Sequence, residues 1–377
     1  MTNFNPVEKN IFVSLYGIDI IDKENFFVQF SLGNIEDIIT SSGAHIDGRL
    51  SDFRNREPMP EEESDFERKR YIAMLSESTA AIGIFPRHRY ASFLLSTCGG
   101  PNPLNSLEPL IYLFRPIKAE VRYFTSSSID QVMGADLQHA DEDSFWEAMN
   151  DKQTPFYYDL KSKEKEIKGI YYDLVSTIHN PRALEMLPRD ERNPVENNML
   201  VSMYGVPFEV IKSLDQCCSI PILEKIILKS NTRVIGRMTK EFEVEGRDDV
   251  SGFSYVGQHL DGVTAFHITP ESSYVSFFIS GSEGSVPILC LKSLIELFRP
   301  TKAEVRYFSS SPISSVDVIK YKNKAFWDDF DKAEIPDDYT SANQEKLINE
   351  FYFDLIKSDS EVEVHGQTDE ETHGNGD

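Results

Sequence analysis

Four side chains in this sequence are of the types that break and make acyl bonds or move protons. They are Ser78 in Leu75-Ser76-Glu77-Ser78-Thr79, Cys98 ahead of Gly99-Gly100, Ser254 in Gly252-Phe253-Ser254, and His267 in His267-Ile268-Thr269-Pro270-Glu271. A hydroxyl or thiol offers a nucleophile, and an imidazole titrates close enough to neutrality to take and return a proton. Each also has a plain structural explanation. Ser78 suits a turn or a helix cap, Cys98 an inert buried thiol, His267 a satisfied core histidine on a strand, and Ser254 a loop. The GxSxG, P-loop, HExxH and GxGxxG patterns of common hydrolases and nucleotide binders do not occur in a fitting context.

What must position these groups is an internal repeat. Residues 113–124 read LFRPIKAEVRYF and residues 297–308 read LFRPTKAEVRYF, differing only at Ile117 and Thr301. Upstream, NPVEKNIFVSLYG (5–17) pairs with NPVENNMLVSMYG (193–205), and downstream Phe145-Trp146 pairs with Phe326-Trp327. Two copies of this length imply two similar halves about a pseudo-twofold axis, not a solenoid. The halves are 1–190 and 191–357, expected to form one compact domain.

LEPLIYLF (107–114) and LKSLIELF (291–298) carry apolar residues at helical spacing, each with a proline close behind. KAEVRYF then alternates as a strand, with Ala, Val and Tyr on one face and Lys, Glu, Arg and Phe on the other. Residues 70–75, 90–96, 262–269 and 274–280 also read as strands, several joined by short connections that imply antiparallel pairing. The class is α+β or α/β with mainly antiparallel sheets. Residues 47–69 are charge-rich with two prolines and read as a loop, and residues 358–377, with seven acids and no Lys or Arg, read as a disordered tail.

Residues shared by the two copies are first of all scaffold, so chemistry is expected where the copies differ. Ser78 and Cys98 belong to the first half alone, and Ser254 and His267 to the second. Counting back from each LFRP places the strands around Ser78–Cys98 and His267–Phe277 at equivalent positions, so a pseudo-twofold would bring the four together.

The bulk composition narrows the classes. The 377 residues are 40% hydrophobic, enough for one large core or two medium ones. A net charge of -24 repels phosphate backbones and anionic lipid, so no nucleic acid and no membrane is expected as a partner; solubility alone explains the charge, and a small cationic ligand suits it. No apolar run approaches the length of a membrane span, and the first residues lack the basic and apolar regions of a secretory signal. Cys98, Cys217, Cys218 and Cys290 show neither zinc spacing nor a disulfide framework. A reduced, cytoplasmic setting without a metal follows, with adjacent Cys217 and Cys218 structural.

Four segments together resemble the eukaryotic S-adenosylmethionine decarboxylase proenzyme family: Leu75-Ser76-Glu77-Ser78-Thr79, Thr97-Cys98-Gly99, Gly252-Phe253-Ser254, and His267-Ile268-Thr269-Pro270-Glu271 leading to Tyr274-Val275-Ser276-Phe277. They stand in the family's order and approximate spacing and anchor residues 70–280. Phe4 with Glu8-Lys9 more weakly resembles its N-terminal motif. The resemblance implies an αββα sandwich of two antiparallel sheets with an internal duplication, which the repeat fits.

It also implies chemistry. Removing CO2 from an amino acid needs an electron sink, which an α-ketoamide at a chain N-terminus supplies through a Schiff base with the substrate amine. The Ser78 hydroxyl would attack the Glu77 carbonyl to give an ester. β-Elimination would free the chain ending at Glu77 and leave dehydroalanine, which hydrolyses to a pyruvoyl group. By resemblance His267 takes the α-proton, Ser254 supports the acyl shift, and Cys98 reprotonates the substrate carbon. Glu8, also placed among the catalytic residues, and Glu271 bind ribose hydroxyls, Phe4 stacks on adenine, and Glu77 contributes to substrate binding. The activity implied is conversion of S-adenosylmethionine to its decarboxylated form for spermidine and spermine synthesis, by an enzyme for which a homodimer is allowed.

Three positions depart from the family: Asn5 replaces a glutamate, Asp248 an aromatic expected on the adenine's other face, and Ser96 a lysine linked to putrescine activation. The alternative reading is therefore a weak or inactive paralogue acting as a regulatory or heteromeric partner.

Overall fold

The computed structural model describes residues 8–18, 29–51, 69–76, 78–98, 101–126, 157–166, 169–176, 196–216, 219–244, 247–259, 262–281, 284–310, 334–347 and 350–357. Phe4, Asn5, Glu77, Cys217, Cys218, the two Phe-Trp pairs and residues 358–377 lie outside them.

The first half contributes β1 (Glu8–Tyr16), α1 (Leu32–Thr40), β2 (Ile46–Ser51), β3 (Lys69–Leu75), β4 (Thr79–Phe85), β5 (Tyr90–Cys98), α2 (Leu107–Phe114), β6 (Lys118–Thr125), β7 (Tyr158–Glu166) and β8 (Gly169–Ser176). The second contributes β9 (Asn197–Tyr204), α3 (Phe208–Gln216), α4 (Ser219–Ile227), β10 (Val234–Val244), β11 (Arg247–His259), β12 (Gly262–Thr269), β13 (Tyr274–Gly281), α5 (Leu291–Phe298), β14 (Lys302–Ser309), β15 (Tyr339–Leu347) and β16 (Glu350–Lys357). Each half forms one eight-stranded antiparallel sheet. The orders are β2-β3-β4-β5-β1-β6-β8-β7 and β10-β11-β12-β13-β9-β14-β16-β15, the same sequence of strands twice. The fold class is α+β: an αββα sandwich built by duplication. Two expectations are corrected. Of the segment 47–69 read as a loop, residues 47–51 belong to β2 and Lys69 to β3, and Ser254 lies on β11 and not in a loop.

Period-two alternation sends each strand's residues to two different cores. Ile11, Val13 and Leu15 of β1, with Ala119, Val121 and Tyr123 of β6, pack under α1 and α2. Phe12, Leu94 and Phe124 turn the other way, to meet Leu200, Val256, Phe278 and Phe308 of the second sheet. A third core lies beneath the helices of the second half. Both helices of the LFRP repeats stop the same way, with Arg115 (φ 43°) and Arg299 (φ 47°) in the left-handed region, their N–H groups returning to Ile111 and Ile295. A proline follows each and forbids further helix.

The layer between the sheets is not purely apolar. Lys118, Glu120 and Arg122 alternate inward and are buried, as are Lys302, Glu304 and Arg306. Lys118 pairs with Glu120 at 2.9 Å and Lys302 with Glu304 at 3.1 Å. Tyr16 and Tyr204 donate hydroxyls to the same two glutamates. Glu350 of β16 takes Arg306 at 2.9 Å and Arg122, from the other sheet, at 3.4 Å. Desolvated charges are tolerable only when paired this way.

Candidate active site

The shared register converts each residue of one half into its counterpart in the other. Phe85 faces Tyr90 where Thr269 faces Tyr274, so β4 matches β12 and β5 matches β13. Arg70 faces Gly83 where Ser254 faces His267. Ser78 therefore corresponds to Gly262, Ser96 to Ser280, and Glu8 to Glu196. Ser78 and His267 lie at opposite ends of equivalent strands. They meet only if the sheets stack with opposite ends together.

That is how they stack. Tyr274, which begins β13 in the second sheet, donates its hydroxyl to Glu8 Oε2 at 2.6 Å at the start of β1 in the first. At the pseudo-symmetric end, one cavity is lined by Arg70, Gly83 and Ser92 from the first sheet and by Glu196, Gly262 and Ser280 from the second. Exchanging halves turns that list into Ser254, His267 and Ser276 facing Glu8, Ser78 and Ser96. The end that carries Ser78 in the first sheet thus faces the end that carries His267 in the second.

The described contacts fill in this site. Ser254 Oγ and His267 Nδ1 lie 2.8 Å apart, side by side on β11 and β12. Both are buried. Burial lowers the His267 pKa to about 4, so the imidazole is neutral at physiological pH. The Phe242 ring of β10 lies parallel to it, centroids 5.4 Å apart and planes 15° apart. Ser276, in register with His267 on β13, hydrogen-bonds Glu8 across the gap. Ser96 Oγ donates to Glu8 Oε1 at 2.6 Å, and Tyr274 also reaches Ser202 Oγ at 3.1 Å. Desolvation raises the Glu8 pKa, against the pull of these hydroxyl donors.

Ser78 is buried just ahead of β4, its carbonyl accepting from Leu75 N–H at 2.9 Å. The next residue, Thr79, is in register with Ser96. Cys98, half-buried, ends β5 in register with Glu8. Ser78, Cys98 and Glu8 therefore share one end of the first sheet, opposite Ser254 and His267. Glu271 stands apart. It is exposed on the turn between β12 and β13, and among the described residues no hydrogen bond or ion pair ties it to the others. Asp248 lies within β11, its side chain outside the described set. Among the described residues no cluster of three or more His, Cys, Asp or Glu is placed to hold a metal, and no helix is long and apolar enough to cross a membrane.

Reading the sequence did not find Phe242, Tyr274 as the Glu8 partner, or Ser276 as the bridge. Tyr274 and Ser276 stood inside the Tyr-Val-Ser-Phe segment, and alternation from His267 could have flagged Ser276. Phe242 carried only the signal of a glycine opposite it, since Phe242 and Gly252 are in register.

No protein-family model matches this chain, and no curated protein matches it. Thirty-four solved chains do match in structure. One is the crystal structure of the Trypanosoma brucei AdoMetDC-delta26 monomer, with a TM-score of 0.41 and 12% sequence identity over 70% of this chain and 96% of that one.

Proposed function

We propose that this chain cuts itself between Glu77 and Ser78 and, in the processed form, decarboxylates S-adenosylmethionine. The observation that carries the reading is the Ser254–His267 pair at 2.8 Å, buried and facing across the gap the sheet end that bears Ser78. Buried His259 also has a hydroxyl partner, Thr264 at 2.8 Å, so what sets His267 apart is the sheet end bearing Ser78 opposite it.

Ser78 Oγ attacks the Glu77 carbonyl carbon. The C–N bond breaks, and the hydroxyl proton passes to the freed Ser78 nitrogen. With Nδ1–H donated to Ser254 Oγ, His267 keeps the Nε2 lone pair to accept the Ser78 α-proton. The Cβ–O bond then breaks, the Glu77 carboxylate leaves, and water releases ammonia from the dehydroalanine. The residues around Ser78 fit such a group: a neutral base, a hydroxyl and a carboxylate held between sheets. The pyruvoyl so formed would supply the electron sink for the departing carboxyl's electron pair. Cys98 Sγ stands beside Glu8 as the donor that returns a proton to the substrate carbon.

Glu8 already receives hydroxyls from Ser96, Tyr274 and Ser276, three of about four lone-pair positions on a carboxylate. It therefore has room for one ligand hydroxyl at most. This crowding favours a second reading, a processed but weak paralogue that serves as a regulatory partner. The test is release of CO2 from carboxyl-labelled S-adenosylmethionine by processed protein. Turnover lost in Cys98→Ala supports the enzyme, and no turnover from fully processed protein supports the partner.

A further inference from the structure

Phe242 reaches His267 by an unusual route. It sits on β10, opposite Gly252 of β11, while His267 lies one strand further, on β12. Two strand spacings of about 4.8 Å separate the backbones. The ring covers that distance by lying over Gly252, where any Cβ would overlap it. Gly252 is the glycine of Gly-Phe-Ser, so the segment that supplies Ser254 also clears the path for the ring.

We propose that Phe242 is a positioning residue for His267: lying flat on the imidazole, it holds the ring plane in which Nδ1 meets Ser254 and keeps water off that face. The proposal deepens the assignment of His267 as proton acceptor and rests on it. The terminal torsion of a histidine is soft and nearly two-fold, so Nδ1 and the carbon opposite exchange places at little cost unless something restrains the ring. A parallel ring 15° from coplanar holds the plane of the imidazole, and within that plane the hydrogen bond to Ser254 decides which edge faces it. Two electrostatic effects of the stack oppose each other. An aromatic face attracts imidazolium and would raise its pKa, whereas a dry face penalises the charge and lowers it. Burial is the cause that lowers the His267 pKa, and the titration of the Phe242 variants reads the balance of the two effects.

Among the described residues, the charged and titratable groups facing His267 are few. Glu8 of β1 is reached through Ser276, with Cys98 beyond it on β5. Lys240 of β10, opposite Ser254, is held by Asp47 of β2 at 2.6 Å. Glu304 lies two strands beyond Ser276 in the same row, past Ser202. None of these contacts depends on Phe242, so its removal changes hydration and freedom of the imidazole and leaves the charges in place.

The experiment is an NMR titration of the His267 imidazole in Ser78→Ala protein, a single uncut chain. Phe242→Leu and Phe242→Ala remove the flat face, Gly252→Ala expels the ring, and Phe242→Tyr restores it. The midpoint is expected to rise by at least one pH unit in the first three and to stay near the parent value in Phe242→Tyr. Phe242→Leu keeps the apolar volume and guards against loss of fold, which the His259 resonance checks independently. An unchanged midpoint in folded Phe242→Leu and Gly252→Ala overturns the proposal. With Ser78 intact, the acid limb of the cleavage rate should move by the same amount. A shifted midpoint in a chain that never cleaves supports the role of Phe242 and overturns the assigned reaction instead.

Discussion

Tyr274→Phe removes one oxygen from the site and should cost more at pH 8 than at pH 5. Its hydroxyl crosses from the second sheet to Glu8 Oε2 at 2.6 Å and touches Ser202 Oγ at 3.1 Å. Without it, Glu8 stays buried with Ser96 and Ser276 as donors. A hydrogen bond to a charged group contributes about 1.5–3 kcal/mol, and one between neutral groups about 0.5–1.5. Which range applies depends on the Glu8 proton. Burial raises the Glu8 pKa in the folded chain, so that group's contribution is fully present below the unfolded carboxylate pKa and is lost as pH rises through the folded value. At the lower pH more of the carboxyl is protonated and the phenol's bond is nearer a neutral one; at the higher pH more of it is ionised and the bond is to a charge. The loss should therefore lie nearer about 1 kcal/mol at pH 5 and move toward about 2–3 kcal/mol at pH 8. Urea denaturation of Ser78→Ala protein with and without the change, followed by circular dichroism at both pH values, measures it. A loss below about 0.5 kcal/mol at both pH values would refute the inter-sheet clamp, that figure being within the scatter of ordinary surface substitutions.

Three further outcomes follow. Glu350→Gln strips the anion shared by Arg122 and Arg306 and should destabilise by about 3–5 kcal/mol in the same assay, the usual cost of breaking a buried pair. Acid should weaken the fold well above the carboxylate range. His267 and His259 are held neutral to about 4 and about 3, so the unfolded chain takes up protons first as pH falls through 6.5. Stability present above that pH should fall by about 3 kcal/mol from His267 alone on going to pH 4, and urea midpoints across this range check it. Cleavage should run at a constant rate between pH 5.5 and 8, because His267 is already unprotonated; a rate that halves near pH 6.5 would show an unperturbed imidazole.

Much of the fold was legible because the repeat is legible. The two LFRP helices have the bounds their spacing implied, and the strands that follow alternate as KAEVRYF predicts. What alternation does not reveal is which face is wet. Lys118, Glu120 and Arg122 read only as sharing one face of the strand; that face points into a second sheet, where the charges are neutralised. Part of that neutralisation comes from Glu350, more than 200 residues away along the chain. The plain explanation of Ser254 as a loop residue fails because its segment runs through β11, where Gly252 serves a ring approaching from β10. The grouping of Ser78 with His267 followed from counting along the halves. The stacking of opposite sheet ends, which makes it geometrically sensible, needed the Glu8–Tyr274 contact.

The most direct measurement is the intact mass of the purified chain after prolonged incubation, alongside Ser78→Ala. Self-cutting predicts two chains, residues 1–77 and 78–377, the second lighter than its plain sequence mass because an amino terminus has become a keto group and blocked to Edman sequencing. The Ser78→Ala protein should stay whole. A wild-type sample that remains one 377-residue chain would contradict the central claim.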